Sequence, residues 1–149
     1  MCQVEVTVSR HEGGLLDTST LILRPRLLDA AVLPERGLIS AITLAELSGG
    51  SLVATDDQGR SIRQAHLRLA EAEFDPLPFD ADAARAFGQV AASLRRSGRK
   101  PSARTNDAMI AAIALANELP LFTCNPADFT GIEGLTVVAV PHPGPMTLR

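Results

Sequence analysis

The chain has 149 residues, a net charge of −3 and a hydrophobic fraction of 46%. This length and composition indicate one globular domain with a substantial core, and they exclude an intrinsically disordered chain. The small net charge gives no global sign of a protein that binds nucleic acid or membranes.

Cysteine usage and the apolar runs predict a protein of the reducing cytoplasm. The two cysteines, Cys2 and Cys124, show no CxxC spacing, which argues against a disulfide framework or a zinc site. The longest apolar run, residues 108–116, is too short to span a bilayer. Residues 1–14 carry acids and lack the apolar stretch of a secretory signal. We therefore expect no membrane association.

The chain begins with a lead-in that is followed by a short strand. Within the lead-in, residues 1–12, the segment VEVTV alternates and could add an edge strand. Residues 15–17 predict a short buried strand. In the apolar segment that follows, residues 19–33, Pro25 must start or kink any helix, because a proline ring clashes in a helix interior.

The second strand is predicted at residues 37–42 and leads directly into a helix. That helix begins at residues 44–47, and we expect Gly49-Gly50 to interrupt it. Residues 60–72 have a helical period and predict the next helix, whose apolar face is formed by Ile62, Ala65, Leu69 and Ala72.

Two further helices and two strands complete the chain. Asp80 is predicted to cap a helix over residues 81–96, which Gly98 ends. Thr105 or Asn106 is expected to cap an alanine-rich helix. The remaining segments are, in order, strands at residues 119–123 and 135–140 and an irregular tail at residues 142–149.

Strands that alternate with helices predict a single α/β domain over residues 13–141, with a mostly parallel central sheet and helices on both faces. Such sheets bind ligands beyond the carboxyl ends of their strands. Acidic residues occupy four positions of this kind, at a strand end or a helix start: Asp17, Glu46, Asp107 and Asp128. Because clustered carboxylates repel one another, their meeting at one edge favours a divalent cation among them.

Each of the four acids also has a purely structural explanation. Asp17 could form a cap or an Asx-turn where the chain leaves its strand. Glu46 closes a capping box that begins at Thr43. Asp107 could complement the positive end of its helix, and turn chemistry after an Asn-Pro pair accounts for Asp128. One explanation suffices for one residue, whereas four acids at one sheet edge favour a shared site.

A basic stretch lies directly before Asp107. It holds five of the fourteen basic residues and no acid: Arg95, Arg96, Arg99, Lys100 and Arg104. A phosphate backbone could dock there. The alternative interpretation is a solvated helix end and loop.

Four blocks of sequence, read in order, resemble a known family. They are LLDTSTLI around Asp17, ISAITLAELSGG around Glu46, and DAMIAAIALANELPLFTCNPADF from Asp107 onward, with GIEGLTVV behind them. Their order and spacing, over most of residues 13–140, resemble the PIN-domain family and, within it, the VapC-type toxins of bacterial toxin–antitoxin pairs.

The resemblance implies a ribonuclease that depends on Mg²⁺ or Mn²⁺. By this analogy the four acids form the metal site, and the fourth position varies in the family between the places of Asn125 and Asp128. Thr123 and Asn125 match a Thr-x-Asn element beside the site, and Ser19 matches a hydroxyl position near the metal. Asn117-Glu118 stands where the family often has a glycine, and asparagine tolerates the left-handed conformation.

The resemblance also implies partners. A VapB-like antitoxin is expected to bind the chain and block the site, often by inserting an arginine among the acids. Homodimers are usual in the family, and residues 20–33 and 60–72 are candidate surfaces. RNA is the expected substrate.

Two other classes of function remain open from the residues. One is a catalytically inactive PIN-like module that acts only through its protein partner, although a module without catalysis has no need of four acids. The other is a phosphotransfer domain with Asp17 as nucleophile. That chemistry usually requires a second aspartate two residues on, where this chain has Ser19.

Overall fold

The computed structural model of the protein describes residues 12–100 and 104–144. The possible edge strand VEVTV lies outside the described residues. So does the end of the tail, residues 145–149. Residues 141–144 have no regular secondary structure.

The four strands form one parallel sheet. They are β1 (Gly13–Leu16), β2 (Arg36–Leu38), β3 (Leu121–Thr123) and β4 (Val137–Ala139), in the spatial order β2-β1-β3-β4. All three neighbouring pairs are parallel. The predicted parallel α/β domain is therefore confirmed, with strands somewhat shorter than the apolar runs that predicted them.

Five helices surround the sheet: α1 (Thr18–Leu23), α2 (Ala41–Val53), α3 (Asp57–Glu73), α4 (Ala81–Arg96) and α5 (Thr105–Ala116). The first four begin at a residue whose side-chain oxygen accepts a first-turn amide hydrogen bond, which is the usual way to satisfy these donors. These capping residues are Asp17, Ser40, Asp56 and Asp80. The predicted cap at Asp80 is confirmed.

Alternating side chains of the strands divide the core into two layers. Leu15 and Leu121 face a cluster that includes Val90 of α4 and Ile113 of α5. Leu16 and Phe122, their neighbours in sequence, face a second cluster, which contains Leu47, Ala70 and the apolar side chains of α1. Helices therefore cover both faces, as predicted.

Two predictions about helix boundaries are wrong. Helix α2 continues through Gly49-Gly50 to Val53, because it packs along α3 and this tertiary packing overrides a weak local propensity. Arg63 of α3 donates a hydrogen bond to the Gly50 carbonyl over 3.3 Å. Helix α5 is not capped by Thr105 or Asn106; Arg104 occupies the N-cap position and makes no side-chain capping bond.

Smaller differences concern where elements end. Pro25 lies in a 3₁₀ turn that follows α1, which is consistent with its predicted effect. The predicted strand at residues 37–42 ends at Leu38, since the chain turns into α2 at Ala41. At the end of α5 the left-handed residue is Glu118 (φ 54°), whereas Asn117 keeps a negative φ.

The strand order places a switch point between β1 and β3. From β1 the chain crosses to β2 on one side, and it later returns to β3 on the other side. At such a point the two connections leave in opposite directions and open a crevice beyond the carboxyl ends of the strands. Asp17 follows β1 and Thr123 ends β3, so both lie at this crevice.

Candidate metal centre

Asp17 is fixed at the switch point by hydrogen-bond donors on both carboxylate oxygens. Its Oδ1 accepts from the Thr20 amide over 3.0 Å and its Oδ2 from the Thr123 hydroxyl over 2.6 Å. The Thr123 hydroxyl in turn accepts from the Asn125 amide over 2.9 Å, so its own proton is directed at Asp17. Asp17 is 5% exposed. It is both the predicted cap and a member of the acidic edge.

Ser19 and Asn125 complete the surroundings of Asp17. The Ser19 hydroxyl donates to Asp17 Oδ1 over 3.4 Å, and Asn125 Nδ2 donates to the Ser19 hydroxyl over 3.2 Å. The structure therefore brings together all three residues that were expected to assist, since Thr123, Asn125 and Ser19 all connect to one carboxylate.

Glu46 is held by a chain of hydroxyl groups that the sequence did not reveal. The Thr18 hydroxyl donates to Glu46 Oε1 over 2.8 Å and lies 2.9 Å from the Thr43 hydroxyl. Because Thr18 gives its proton to Glu46, Thr43 donates to Thr18. Ser40, whose hydroxyl also caps α2, donates to Thr43 over 3.4 Å.

The capping-box explanation of Glu46 is thus wrong. Ser40 is the N-cap of α2, and its hydroxyl, not Glu46, receives the Thr43 amide. The signal that could have identified the real arrangement was present in the sequence: Thr18 directly follows Asp17, and Thr43 lies one helical turn before Glu46.

Asp107 and Asp128 are organised differently, around a cation of the same chain. Asp107 is in the first turn of α5, and Asp128 is in the 3₁₀ turn Pro126–Phe129 that follows β3. Arg104 Nη1 lies 2.7 Å from Asp128 Oδ1 and 3.6 Å from Asp107 Oδ2. Both acids are half-buried, and the guanidinium group bridges them.

The electrostatics of Asp107 show that the other three acids act on it. The pKa of Asp107 is raised to about 6, first by burial and then by the negative charges of Asp128, Glu46 and Asp17, in that order of size. Arg104 lowers it. Since these interactions fall with distance, the four carboxylates share one region at the edge of the sheet.

The residues fit a hard divalent cation in their chemistry. Four carboxylates are the oxygen ligands that Mg²⁺ and Mn²⁺ prefer, and a divalent charge would relieve the repulsion at Asp107. As the side chains stand, no three acidic, histidine or cysteine residues of the described chain converge tightly enough to enclose an ion. Arg104, which bridges Asp107 and Asp128, neutralises part of this negative charge.

The basic stretch divides into two groups. Arg99, Lys100 and Arg104 line a pocket that also includes Asp107 and Asp128. Arg96 instead pairs with Glu133 over 2.8 Å, and Arg95 is exposed. Three of the five residues therefore lie beside the acids. Separately, no helix within residues 12–100 and 104–144 is long and apolar enough to cross a bilayer.

A parallel sheet of this order with acids at its switch point is the architecture of a PIN domain, and the PIN-domain family model matches residues 15–133. The chain belongs to the PIN-domain family and, within it, to the VapC proteins. Ribonuclease VapC5 of Mycobacterium tuberculosis is 39% identical over 130 residues, which cover 86% of this chain and 93% of that protein.

Solved structures agree with this assignment. A member of the VapBC family of toxin–antitoxin systems, VapBC-5 from Mycobacterium tuberculosis, is similar with a TM-score of 0.76 and 36% identity, covering 87% of this chain and 99% of that chain. DNA-bound VapBC from Salmonella typhimurium is similar with a TM-score of 0.63 and 28% identity, covering 85% and 96%.

Proposed function

We propose that this protein is a Mg²⁺- or Mn²⁺-dependent ribonuclease, the toxin of a toxin–antitoxin pair, which a VapB-like antitoxin neutralises. The similarity to Ribonuclease VapC5 over most of both chains supports the substrate class. The observation that carries the proposal is the gathering of four carboxylates at one sheet edge, where burial and then the charges of the other three acids raise the pKa of Asp107 to about 6. An acidic cluster of this kind favours a metal-assisted hydrolase.

In the proposed mechanism Asp17, Glu46, Asp107 and Asp128 would hold the metal. A bound divalent ion would supply a more acidic water as nucleophile and charge stabilisation for the leaving oxygen of the phosphodiester. The chain's own contribution is orientation. Donors on both oxygens hold Asp17 in place, and the Thr18 hydroxyl does the same for one oxygen of Glu46.

RNA binding is assigned to the basic stretch. Arg99, Lys100 and Arg104 lie beside the acids, and Arg95 and Arg96 extend the positive charge along the end of α4. The sequence has no tryptophan or tyrosine and five phenylalanines, so base stacking has few platforms. Along this stretch we expect recognition of RNA shape and phosphate position instead.

Asp17 is poorly suited to the phosphotransfer alternative. That chemistry usually requires a second aspartate two residues on, whereas Ser19 stands there and donates a hydrogen bond to Asp17 Oδ1. We therefore favour the role of a metal ligand.

The test is cleavage of total RNA and transfer RNA by purified protein free of antitoxin, with Mg²⁺, with Mn²⁺ and with EDTA. Asp17→Asn keeps the capping ability of the residue but removes its charge, and should reduce cleavage at least ~100-fold. Asp75→Asn is the matched control, because Asp75 is exposed and outside the site. Cleavage that persists in EDTA or in Asp17→Asn contradicts the metal-site assignment.

Partners would cover an exposed apolar surface on α3. Ile62 and Leu69, from the face predicted to be apolar, are 52% and 57% exposed, and Leu28 in the segment 20–33 is 99% exposed. We propose that a second copy or the antitoxin covers these side chains in the cytoplasm. Leu69→Lys should weaken assembly measured by light scattering, whereas Arg68→Gln, on the same helix, should not.

A further inference from the structure

A pocket of about 180 Å³ lies beside Asp107 and Asp128, and its lining is sharply divided. The buried side chains of Leu94, Ala108 and Ile132 form an aliphatic part. Arg99, Lys100 and Arg104 form a basic part next to it. An apolar surface with adjoining cations matches a ligand that combines a flat apolar group with a negative charge.

Arg99 is held in the lining of this pocket, and one terminal nitrogen of its guanidinium group makes no hydrogen bond within the described part of the chain. At the end of α4, the Arg99 amide donates to the Leu94 carbonyl over 2.8 Å, and Gly98 takes the left-handed conformation (φ 79°). This is a Schellman motif, which fixes the backbone of Arg99. Its Nη2 donates to the Ala127 carbonyl over 2.7 Å.

The other nitrogen of Arg99 lacks a partner. Arg99 Nη1 is buried and makes no hydrogen bond with any residue that the structure describes. A buried charged donor without an acceptor destabilises the folded protein. Such a group is therefore expected to meet an acceptor when the pocket is filled.

The walls of the pocket are already in place. Arg96 pairs with Glu133, and the Glu133 amide donates to the Ser93 hydroxyl over 3.3 Å, which ties the end of α4 to the loop that holds Ile132. Gly131 lets this loop approach α4 closely. A Cβ atom at this position would lie 2.8 Å from the Ser97 hydroxyl, and its φ of 86° also favours glycine.

We infer that this pocket is the subsite for a single nucleotide of the RNA, next to the bond that is cut, and that Arg99 Nη1 donates to an acceptor of that nucleotide. The inference rests on the proposed function. The volume of the pocket is below the roughly 300–1,000 Å³ of sites for drug-sized ligands, so the pocket holds one nucleotide unit and not several. The aliphatic part contacts the base or ribose, and Lys100 and Arg104 face the phosphates.

A nucleotide subsite has a consequence that phosphate binding along the basic stretch does not have. Phosphate contacts are the same for every sequence, whereas a pocket that encloses a base distinguishes bases by shape and hydrogen bonding. The protein is therefore expected to prefer particular bases at one fixed position relative to the cut.

Binding is tested first, with the whole protein, Mg²⁺ and nucleoside 5′-monophosphates, which contain no phosphodiester bond to cleave. The methyl resonances of Leu94 and Ile132 should shift on addition of a nucleotide, and Arg99→Met should weaken binding about tenfold or more. Lys100→Met, which changes an exposed side chain, should weaken it less. Arg68→Gln loses the same charge on an exposed site of α3 and should bind as the wild type does. Unmoved methyl groups, or an identical response to inorganic phosphate, overturn the subsite.

Cleavage of an RNA library with random sequence separates this inference from the proposed function. The wild type should show a base preference at one position beside the cut, and Arg99→Met should flatten it at that position only. Cleavage by both proteins with the same preferences overturns the subsite and leaves the ribonuclease intact. Nucleotide binding by a wild type that cleaves no RNA supports the pocket and overturns the proposed activity.

Discussion

The two halves of the acidic edge are held together by different means. Asp17 and Glu46 receive hydrogen bonds from hydroxyl and amide groups of α1, α2 and β3, all fixed by the fold. Asp107 and Asp128 share the guanidinium group of Arg104, and the pKa of Asp107 is raised to about 6. Neutral donors hold the first pair in place, whereas the second pair depends on a nearby positive charge.

This difference indicates which part of the proposed site would respond to a metal. Neutral donors remain in place whether or not an ion is bound, so Asp17 and Glu46 form a constant part of the site. Arg104 is half-exposed and belongs to a side chain that can move. A divalent ion at Asp107 and Asp128 would therefore replace the role of Arg104, and the two cations should compete.

The largest contrast is expected between Asp17→Ala and Asp107→Asn. Both should lower cleavage by at least ~100-fold. In EDTA their stabilities should change in opposite directions. Asp17→Ala removes a helix cap and leaves the buried Thr123 hydroxyl without its acceptor, at about 1–3 kcal/mol. Asp107→Asn removes a repelled charge and should stabilise by ~1 kcal/mol, allowing for solvent screening.

Thermal unfolding in EDTA at pH 7 measures both effects, with Asp75→Asn as the unchanged reference. If the two variants shift the free energy of unfolding in the same direction, the distinction between the hydrogen-bonded pair of Asp17 and Glu46 and the pair of Asp107 and Asp128 is wrong.

The next largest effect concerns the hydroxyl chain behind Glu46. Thr18→Val keeps the shape of the side chain but removes the donor to Glu46 Oε1. We expect cleavage at limiting Mg²⁺ to fall ~10-fold or more, with partial recovery at high Mg²⁺, as for residues that orient a metal ligand. Thr55→Val, at an exposed position, is the control. Normal activity of Thr18→Val at every metal concentration would exclude an orienting role for this chain.

The pH dependence of stability and of metal affinity should come from Asp107. The pKa of Asp107 rises from 3.8 to about 6 in the folded, metal-free protein. The folded state therefore binds more protons than the unfolded state between these values, and stability in EDTA falls as pH increases through this window. Metal affinity should rise over the same window, because a divalent ion binds the carboxylate and not the carboxylic acid.

Mn²⁺ titrations and thermal unfolding from pH 4.5 to pH 7.5 measure the two trends. Asp107→Asn should lose both of them. A variant that keeps the pH dependence of stability would assign the titration to another group.

The smallest effect is expected from Arg104→Gln, which removes the bridging cation. Without RNA, affinity for Mn²⁺ should increase about two- to fivefold, the range expected for a partly exposed ion pair. Arg68→Gln gives the effect of the same charge loss at a distant exposed site. Unchanged or weaker Mn²⁺ binding by Arg104→Gln would show that the guanidinium group does not compete with the metal.

The sequence predicted features that depend on local pattern. Apolar runs predicted the four strands, and alternation with helices predicted a parallel sheet covered on both faces. Parallel strands direct their carboxyl ends to one edge, so acids after β1 and β3 were expected to lie near each other. Asp80 was recognisable as a cap because capping is a local interaction.

The sequence did not predict interactions between distant segments. Helix α2 continues over Gly49-Gly50 because it packs against α3, and no local sequence pattern shows this packing. The Thr18–Glu46 hydrogen bond joins residues 28 positions apart. The bridge from Arg104 to Asp128 was hidden because Arg104 appeared only as one member of a basic stretch. Long-range pairing of this kind requires the three-dimensional structure.

The position of β1 also has a consequence for synthesis of the protein. Among the described strands β1 is made first, yet it is central in the sheet, and its hydrogen-bonded neighbour β3 lies more than 100 residues later in the chain. The hydrogen bond between Asp17 and Thr123 spans 106 positions. Contacts this distant in sequence form late in folding. A growing chain on the ribosome therefore carries separated acids and no assembled centre until translation has passed β3.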